Sequence, residues 1–244
     1  IKCRKSGLQP ALTVLVATTQ GLKMHGGVPV EEIKQPNPQG LKEGLRNLDR
    51  HIANLQSFGQ TVVVCFNRFA TDTDEEISFC RQHCNDIGVG FAVNNAFNEG
   101  GSGAEELARL VVETIDTKPS APLRFAYPDE AGVEEKALAV CRTIYGADGV
   151  TFSPQAKKMI ERIKELGVTH YPICIAKTQY SFSADAKAYG CPTGFNIHIR
   201  DIVVNCGAEM LVLIAGDIMR MPGLPRSPQA ERIDLVDGEI VGLS

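Results

Sequence analysis

The sequence lacks the features that would place it at once in a membrane or in a nucleic-acid complex. Its longest apolar runs, residues 11–18 and 210–215, are far shorter than the roughly 20 residues that a helix needs to cross a bilayer. Positive charge is not in excess either, because 25 Lys and Arg stand against 29 Asp and Glu, a net charge of -4. We therefore expect a soluble, cytoplasmic protein that binds neither membrane nor nucleic acid.

Three motifs that often mark an enzyme site are also missing. No Gly-x-x-x-x-Gly-Lys-[Ser/Thr] stretch is present to hold the phosphates of a nucleotide. Neither Gly-x-Gly-x-x-Gly nor Gly-x-Ser-x-Gly occurs. The sequence therefore predicts no catalytic residue in this chain.

The eight cysteines are spread through apolar segments and lack the density of a small secreted scaffold, so we interpret them as reduced thiols. Cys80, His83 and Cys84 share one face of a predicted helix, and this spacing leaves a zinc-binding regulatory piece as one hypothesis. A structural zinc site needs four ligands, and no second Cys or His cluster supplies the others. The sequence therefore predicts that no metal is held by this chain alone.

The composition that remains, 43% apolar and 22% charged residues, is typical of a compact globular protein. A buried-strand pattern followed by a loop and a helical pattern occurs three times in succession. The predicted strands are residues 12–17, 61–66 and 89–93, and the predicted helices are residues 41–55, a helix from 73 and residues 104–115. Thr73-x-x-Glu76 and Ser102-x-x-Glu105 read as capping boxes that open the second and third helices. The continuous apolar run at 12–17 predicts a central strand.

This order predicts an α/β fold with a mostly parallel sheet and helices on both faces. Proline-rich residues 120–128 indicate a boundary, so we divide the chain into domains at 1–122 and 123–244. The second domain should be a smaller α+β unit. Its predicted elements are helices over 133–145 and from Ser153, strands over 171–176, 195–205 and 209–215, and a hairpin whose strand 233–236 precedes an Asp237-Gly238 turn.

Ligands of parallel sheets bind at the carboxyl ends of the strands, which here are the loops 18–27, 67–74 and 94–103. The first loop combines hydroxyls, a lysine, a histidine and paired glycines, a set that could admit an anionic ligand. The second and third loops place Phe69 and Phe97 where two rings could hold a planar heterocycle. Alternatively each ring seals the core beneath its own loop, which is the more common outcome for a single Phe, and spacing alone does not decide between the two.

Several longer segments resemble a single family. They are residues 16–27, 67–73, 144–149, 176–181, 192–195 and 216–225, in family order. Together they resemble formate–tetrahydrofolate ligase, with similarity from the first residue to the last. Only the C-terminal part of that enzyme is matched. The resemblance implies that the chain was cut from a longer one and that its sheet is the far half of a P-loop-NTPase-like sheet.

The resemblance also implies a reaction. Family members join formate to ATP as formyl phosphate, which the N10 amine of tetrahydrofolate then attacks. ATP and tetrahydrofolate are then substrates, the phosphate site lies upstream of this chain, and the partner is the N-terminal half of the same polypeptide within a homo-oligomer. The alternative hypothesis is a non-catalytic nucleotide-binding or scaffolding module on the same fold.

The family pattern implies where tetrahydrofolate binds. Family members hold the pterin between two aromatic rings, and the matching positions are Phe69 and Phe97. Val93 and Ala70 match positions that line the same cleft. The chain departs from the family pattern here, because the family usually has Trp at position 97 and Pro at position 70.

Two further residues are candidates for nucleotide binding. Asn67 follows its strand where many P-loop proteins use an asparagine to read the base, an analogy at the level of the fold. Lys23 is the cation of the first loop. The family's Arg-Ala is replaced nearby by Gln20-Gly21, and we assign no function to Gln20.

Overall fold

The structure is a computed structural model that describes residues 1–216, 218, 227–236 and 239–242. It confirms an α/β fold. The helices are α1 Lys2–Ser6, α2 Thr19–His25, α3 Pro38–Ser57, α4 Asp74–Asp86, α5 Ala96–Glu99, α6 Glu105–Thr117, α7 Val133–Val140 and α8 Pro154–Glu165. The strands are β1 Thr13–Ala17, β2 Val62–Asn67, β3 Gly90–Asn94, β4 Gly149–Phe152, β5 Ile173–Ala176, β6 Asn196–Asn205, β7 Met210–Ala215, β8 Asp234–Val236 and β9 Glu239–Val241.

The first sheet is parallel, with strand order β1-β2-β3. Strand β2 lies in the middle and is buried on both faces, as its run of β-branched residues predicts. The prediction that residues 12–17 form a central strand is wrong for the described part of the chain. Strand β1 pairs there only with β2, and its alternate residues Val14 and Val16 are exposed. An apolar run predicts a strand but does not show how many strands flank it or whether both of its faces are covered.

The second sheet is mixed, with strand order β4-β6-β7-β5. Strands β4 and β6 are parallel, β5 and β7 are parallel, and β6 and β7 are antiparallel. The sequence did not indicate β4, which is only four residues long. Strands β8 and β9 confirm the predicted hairpin. Its predicted turn, Asp237-Gly238, lies outside the described residues, as does most of the resembling segment 216–225.

The first turns of α4, α6 and α8 show whether the predicted capping residues Thr73, Ser102 and Ser153 cap these helices. Thr73 accepts a hydrogen bond from the Glu76 N–H at 3.2 Å, and Ser153 accepts one from the Ala156 N–H at 3.0 Å, so both residues cap their helices. The capping box predicted at Thr73 is only half formed within the described residues, because the Glu76 carboxylate accepts from Lys23 and from the Asn37 N–H instead of the Thr73 N–H. The predicted cap at Ser102 is wrong. Helix α6 begins at Glu105 after a 3₁₀ turn, Gly100–Ala104, and the Ser102 hydroxyl donates to the Glu99 carbonyl instead. Helix α7 is also shorter than predicted, because Cys141–Tyr145 winds into a π-helical turn.

Helices α2 and α3 touch through their backbones. A Cβ added to Gly26 would lie 1.7 Å from the Gly40 carbonyl oxygen, and one added to Gly44 would lie 1.9 Å from that of Leu22. Gly26 therefore serves helix packing. For Gly26, this corrects the interpretation that the paired glycines admit a ligand, whereas the Cβ position of Gly27 is open.

Helix α3 packs against the first sheet and also against the part of the chain that follows residue 122, which we call the second part. Leu41, Leu45, Leu48 and Ile52 enter the core of the first sheet. On another face, Asn47 donates to the Gly190 carbonyl at 2.7 Å and Asn54 donates to that of Ile144 at 2.9 Å.

The division of the chain into domains at 122/123 stays a prediction. Among the helices of the described residues, none combines the length and the apolar character needed to cross a membrane.

Candidate functional site

A cavity of about 400 Å³ opens at the carboxyl ends of β2 and β3, at the low end of the range typical of small-molecule sites. Its lining residues are Asn67, Arg68, Phe69, Ala70, Asn94, Phe97 and Asn98. The structure therefore brings the second and third predicted loops together around one space. The site lies where parallel sheets usually bind their ligands.

Neither aromatic ring of this cavity is packed away in the core. Phe69 is 42% exposed and Phe97 is 89% exposed. The possibility that Phe97 seals the core beneath its loop is therefore wrong. Two exposed rings on adjoining loops give the cavity an apolar lining that a flat ligand could cover.

Asp72 holds the Phe69 loop in place. This carboxylate is buried; its Oδ2 accepts from the Phe69 N–H at 2.9 Å, and its Oδ1 accepts from the Thr19 hydroxyl at the start of α2. The Asp72 N–H donates in turn to the Phe69 carbonyl at 3.0 Å and closes a tight turn. We did not single out Asp72 from the sequence. The sequence carries only a weak signal for it, an aspartate near the end of a short polar loop where turns are common.

The floor of the cavity carries a pair of asparagines. Asn67 and Asn94 are register partners at the ends of β2 and β3, and the Asn94 amide donates to Asn67 Oδ1 at 2.9 Å. Asn67 thus lies in the predicted region. Its Nδ2 makes no hydrogen bond within the described residues and remains a donor for a ligand.

The other predicted site residues lie apart from the cavity or serve another purpose. Ala70 lines the cavity, whereas Val93 packs against the core of the first sheet and is not among the lining residues. Lys23 is only 1% exposed; its ammonium is 3.0 Å from Glu76 Oε1 and 2.9 Å from the Gln35 carbonyl. The structure gives Lys23 no access to a nucleotide. We correct its function to that of a buried structural cation.

The Cys-His cluster of α4 is structural as well. Cys80 and Cys84 are fully buried, and burial raises the pKa of the Cys80 thiol to about 12 and that of Cys84 to about 11. The thiolate is the form that binds metal, so these thiols are poor ligands. His83 is paired with Asp49 at 2.7 Å. No group of three potential metal ligands occurs among the described residues.

The fold and the cavity together define an α/β protein with an aromatic-lined, small-molecule-sized site at the carboxyl ends of parallel strands. The family model for formate–tetrahydrofolate ligase matches residues 1–244. The chain belongs to this family.

The curated relatives carry the same description. Formate–tetrahydrofolate ligase of Bacteroides thetaiotaomicron is 64% identical over all 244 residues, which cover 44% of that protein. The formate–tetrahydrofolate ligases of Parabacteroides distasonis and Porphyromonas gingivalis are 59% and 57% identical over all 244 residues, which again cover 44% of each relative. The chain thus spans 44% of the length of these relatives.

Proposed function

We propose that this chain is the folate-binding part of a formate–tetrahydrofolate ligase and that its aromatic cavity holds the pterin of tetrahydrofolate. The observation that carries the proposal is the pair of exposed rings, Phe69 and Phe97, lining one cavity of about 400 Å³. The family match points to tetrahydrofolate as the ligand, and the cavity has an apolar surface suited to a flat ring.

The cavity offers what a reduced pterin needs. Its rings provide apolar faces for stacking, worth about 1 to 3 kcal/mol for each base-like ring in comparable sites. The free amide of Asn67 provides a donor at the floor, which we propose contacts the nucleotide base beside the pterin, because Asn67 ends the central strand of the same sheet.

The proposed reaction has two steps. Formate attacks the γ-phosphorus of ATP and releases ADP, which gives formyl phosphate. The N10 amine of tetrahydrofolate then attacks the formyl carbon, the C–O bond to phosphate breaks, and N10 loses its proton. A ring pair that fixes the pterin limits the directions in which N10 can point, which lowers the entropic cost of the attack.

We assign the binding of the ATP phosphates to residues outside this chain. The 244 residues contain no Walker sequence, and Lys23 is engaged by Glu76. We place the phosphate-binding residues in a part of the enzyme that this chain does not include. The chain should accordingly bind tetrahydrofolate without forming product from ATP and formate.

Calorimetric titration with tetrahydrofolate under anaerobic conditions tests the proposal. Phe69→Ala and Phe97→Ala should each weaken binding about tenfold or more, because 1.4 kcal/mol corresponds to a factor of ten. Phe79→Ala is the matched control, since Phe79 on α4 is 41% exposed and does not line the cavity. A wild-type chain that binds no tetrahydrofolate, or ring variants that bind as well as the control, would refute the assignment.

A further inference from the structure

Two adjoining cavities lie where α3 meets the second part of the chain, apart from the aromatic cavity. Their volumes are about 160 and 330 Å³. His25, Asn47 and His51 line both of them, and Lys177 and Tyr145 line the smaller. Neither cavity shares a lining residue with the one that contains Phe69 and Phe97.

Basic side chains collect here without acidic ones. His25, His51 and Lys177 are among the lining residues, and neither cavity is lined by Asp or Glu. The Lys177 ammonium has only neutral partners among the described residues: it donates to the carbonyls of Thr178 and Ser181 and lies 4.7 Å from the centre of the Tyr145 ring. Lys177 therefore brings to this junction a positive charge that no acidic lining residue neutralises.

The segment after β5 holds the basic groups in place. The Gly190 N–H donates to His25 Nδ1 at 3.2 Å, so the neutral ring carries its proton on Nε2 and keeps that donor for a ligand. The His51 ring packs on Phe182 with centroids 4.7 Å apart. Side chains fixed before binding lose little entropy when a ligand arrives.

The titration behaviour agrees with this geometry. Burial lowers the pKa of His51, and the charges of His25 and Lys177 lower it further. Burial lowers the pKa of Lys177 to about 8. Burial also lowers the pKa of His25. Burial raises the pKa of Tyr145 to about 12 and that of Cys141 to about 11, so both groups are neutral near pH 7. An anion among these groups would favour the protonated forms of His51 and Lys177.

We propose that this junction binds a small oxyanion, a phosphate or a carboxylate, between the Lys177 ammonium and the imidazoles of His25 and His51. The Asn47 and Asn54 amides donate to backbone carbonyls and thereby fix α3, which carries His51, against the second part of the chain. A bound oxyanion therefore contacts residues from both parts. Binding should stabilise their association.

The histidine resonances of the 244-residue chain provide a direct test, because the chain has five histidines. Inorganic phosphate and acetate are added in separate titrations, with sodium chloride at equal ionic strength as the control. We expect saturable shifts of His25 and His51 and a higher pKa for His51. His83, His170 and His198 do not line these cavities and should not respond. The stronger titrant identifies the oxyanion class.

Two variants and a matched control complete the test. Lys177→Gln and His51→Gln should each weaken binding about tenfold, as the loss of a charge-assisted hydrogen bond predicts. Lys187→Gln, in the same segment but exposed and away from the cavities, should bind as wild type does. Equal shifts of all five histidines, no response to either anion, or normal binding by folded Lys177→Gln and His51→Gln would overturn the proposal. The tetrahydrofolate titration is a separate readout, so either proposal can fail alone.

Discussion

The two loops that carry the aromatic rings are anchored in different ways. The Phe69 loop is tied to α2 by the buried link from Asp72 to Thr19. Helix α4, which follows the loop, is tied to α2 by a second buried link, from Glu76 to Lys23, one helical turn further along α2. The Phe97 loop depends on local contacts at the surface. Asn95 donates to Glu99, Asn98 donates to Asn95, and Ser102 donates to Glu99, all within exposed segments.

In the proposed pterin site, the wall that carries Phe69 is therefore anchored to the folded core, whereas the wall that carries Phe97 is held by contacts at the surface. Buried polar links are costly to break, because each partner left alone loses its compensation for desolvation. Exposed links exchange readily with water and contribute little. Loss of the buried side-chain links on the Phe69 side should therefore lower both stability and binding, whereas loss of side-chain contacts on the Phe97 side should lower binding with little loss of stability.

The largest effect should follow from breaking the buried ion pair. Among the described residues, Lys23→Met leaves the buried Glu76 carboxylate with the Asn37 N–H as its one partner, and Glu76→Leu leaves the Lys23 ammonium with the Gln35 carbonyl as its one partner. Removing one partner of such a pair typically costs about 3 to 5 kcal/mol. Urea unfolding of each single variant measures the loss.

The double variant Lys23→Met/Glu76→Leu is the control for this pair. With both charges replaced by apolar side chains, no unpaired charge remains buried, so the loss should be smaller than that of either single variant. A double variant as unstable as the sum of the two singles would show that packing, and not charge, decides stability at this position.

Asp72 should give the next largest effect. Asp72→Ala leaves the Phe69 N–H and the Thr19 hydroxyl without their acceptor. We expect a loss of about 1 to 3 kcal/mol in the free energy of unfolding and weaker tetrahydrofolate binding, because the Phe69 loop loses its anchor.

Asp74→Asn serves as the matched control, because Asp74 is exposed and forms only a surface ion pair with Arg68. That change should cost about 0 to 1 kcal/mol and leave binding unchanged. If Asp72→Ala loses stability but binds tetrahydrofolate as wild type does, the anchor does not position the ring.

The sequence predicted the parts of this site that follow from local pattern. Apolar runs located β2 and β3, and strand direction then placed Phe69 and Phe97 at one edge of the sheet. The burial of Lys23 was not predictable, because it depends on Glu76, which is 53 residues away in the chain. The Ser102 cap failed for a similar reason, since the capping pattern does not show that the preceding residues already form a 3₁₀ turn.

Truncating the two rings should separate stability from binding. Phe97 is almost fully exposed, so Phe97→Ala should change the free energy of unfolding by no more than about 0.5 kcal/mol. Phe69→Ala should cost about 1 kcal/mol, since more than half of that residue is shielded. Thermal unfolding without ligand measures both. Equal stability losses would show that the two walls do not differ in their coupling to the core.

The smallest effect is expected at Ala70. Ala70 is the second residue of the four-residue turn that starts at Phe69 and is closed by the hydrogen bond from the Asp72 N–H to the Phe69 carbonyl. Proline is favoured at this turn position, because its ring fixes φ near the value that the turn needs. The Ala70 N–H makes no hydrogen bond within the described residues that proline would remove. Ala70→Pro should therefore stabilise the chain by about 0.4 to 1 kcal/mol, chiefly by restricting the unfolded state.

The measurement for Ala70→Pro is the urea midpoint, with Ala96→Pro as the counterpart in the Phe97 loop. The Ala96 N–H donates to Asn94 Oδ1 at 3.1 Å, so proline there removes a hydrogen bond and should destabilise the chain. Opposite signs at the two positions are expected, because only the Phe69 turn leaves its second N–H free. Destabilisation by Ala70→Pro would mean that the turn has a different backbone conformation from the one that proline favours.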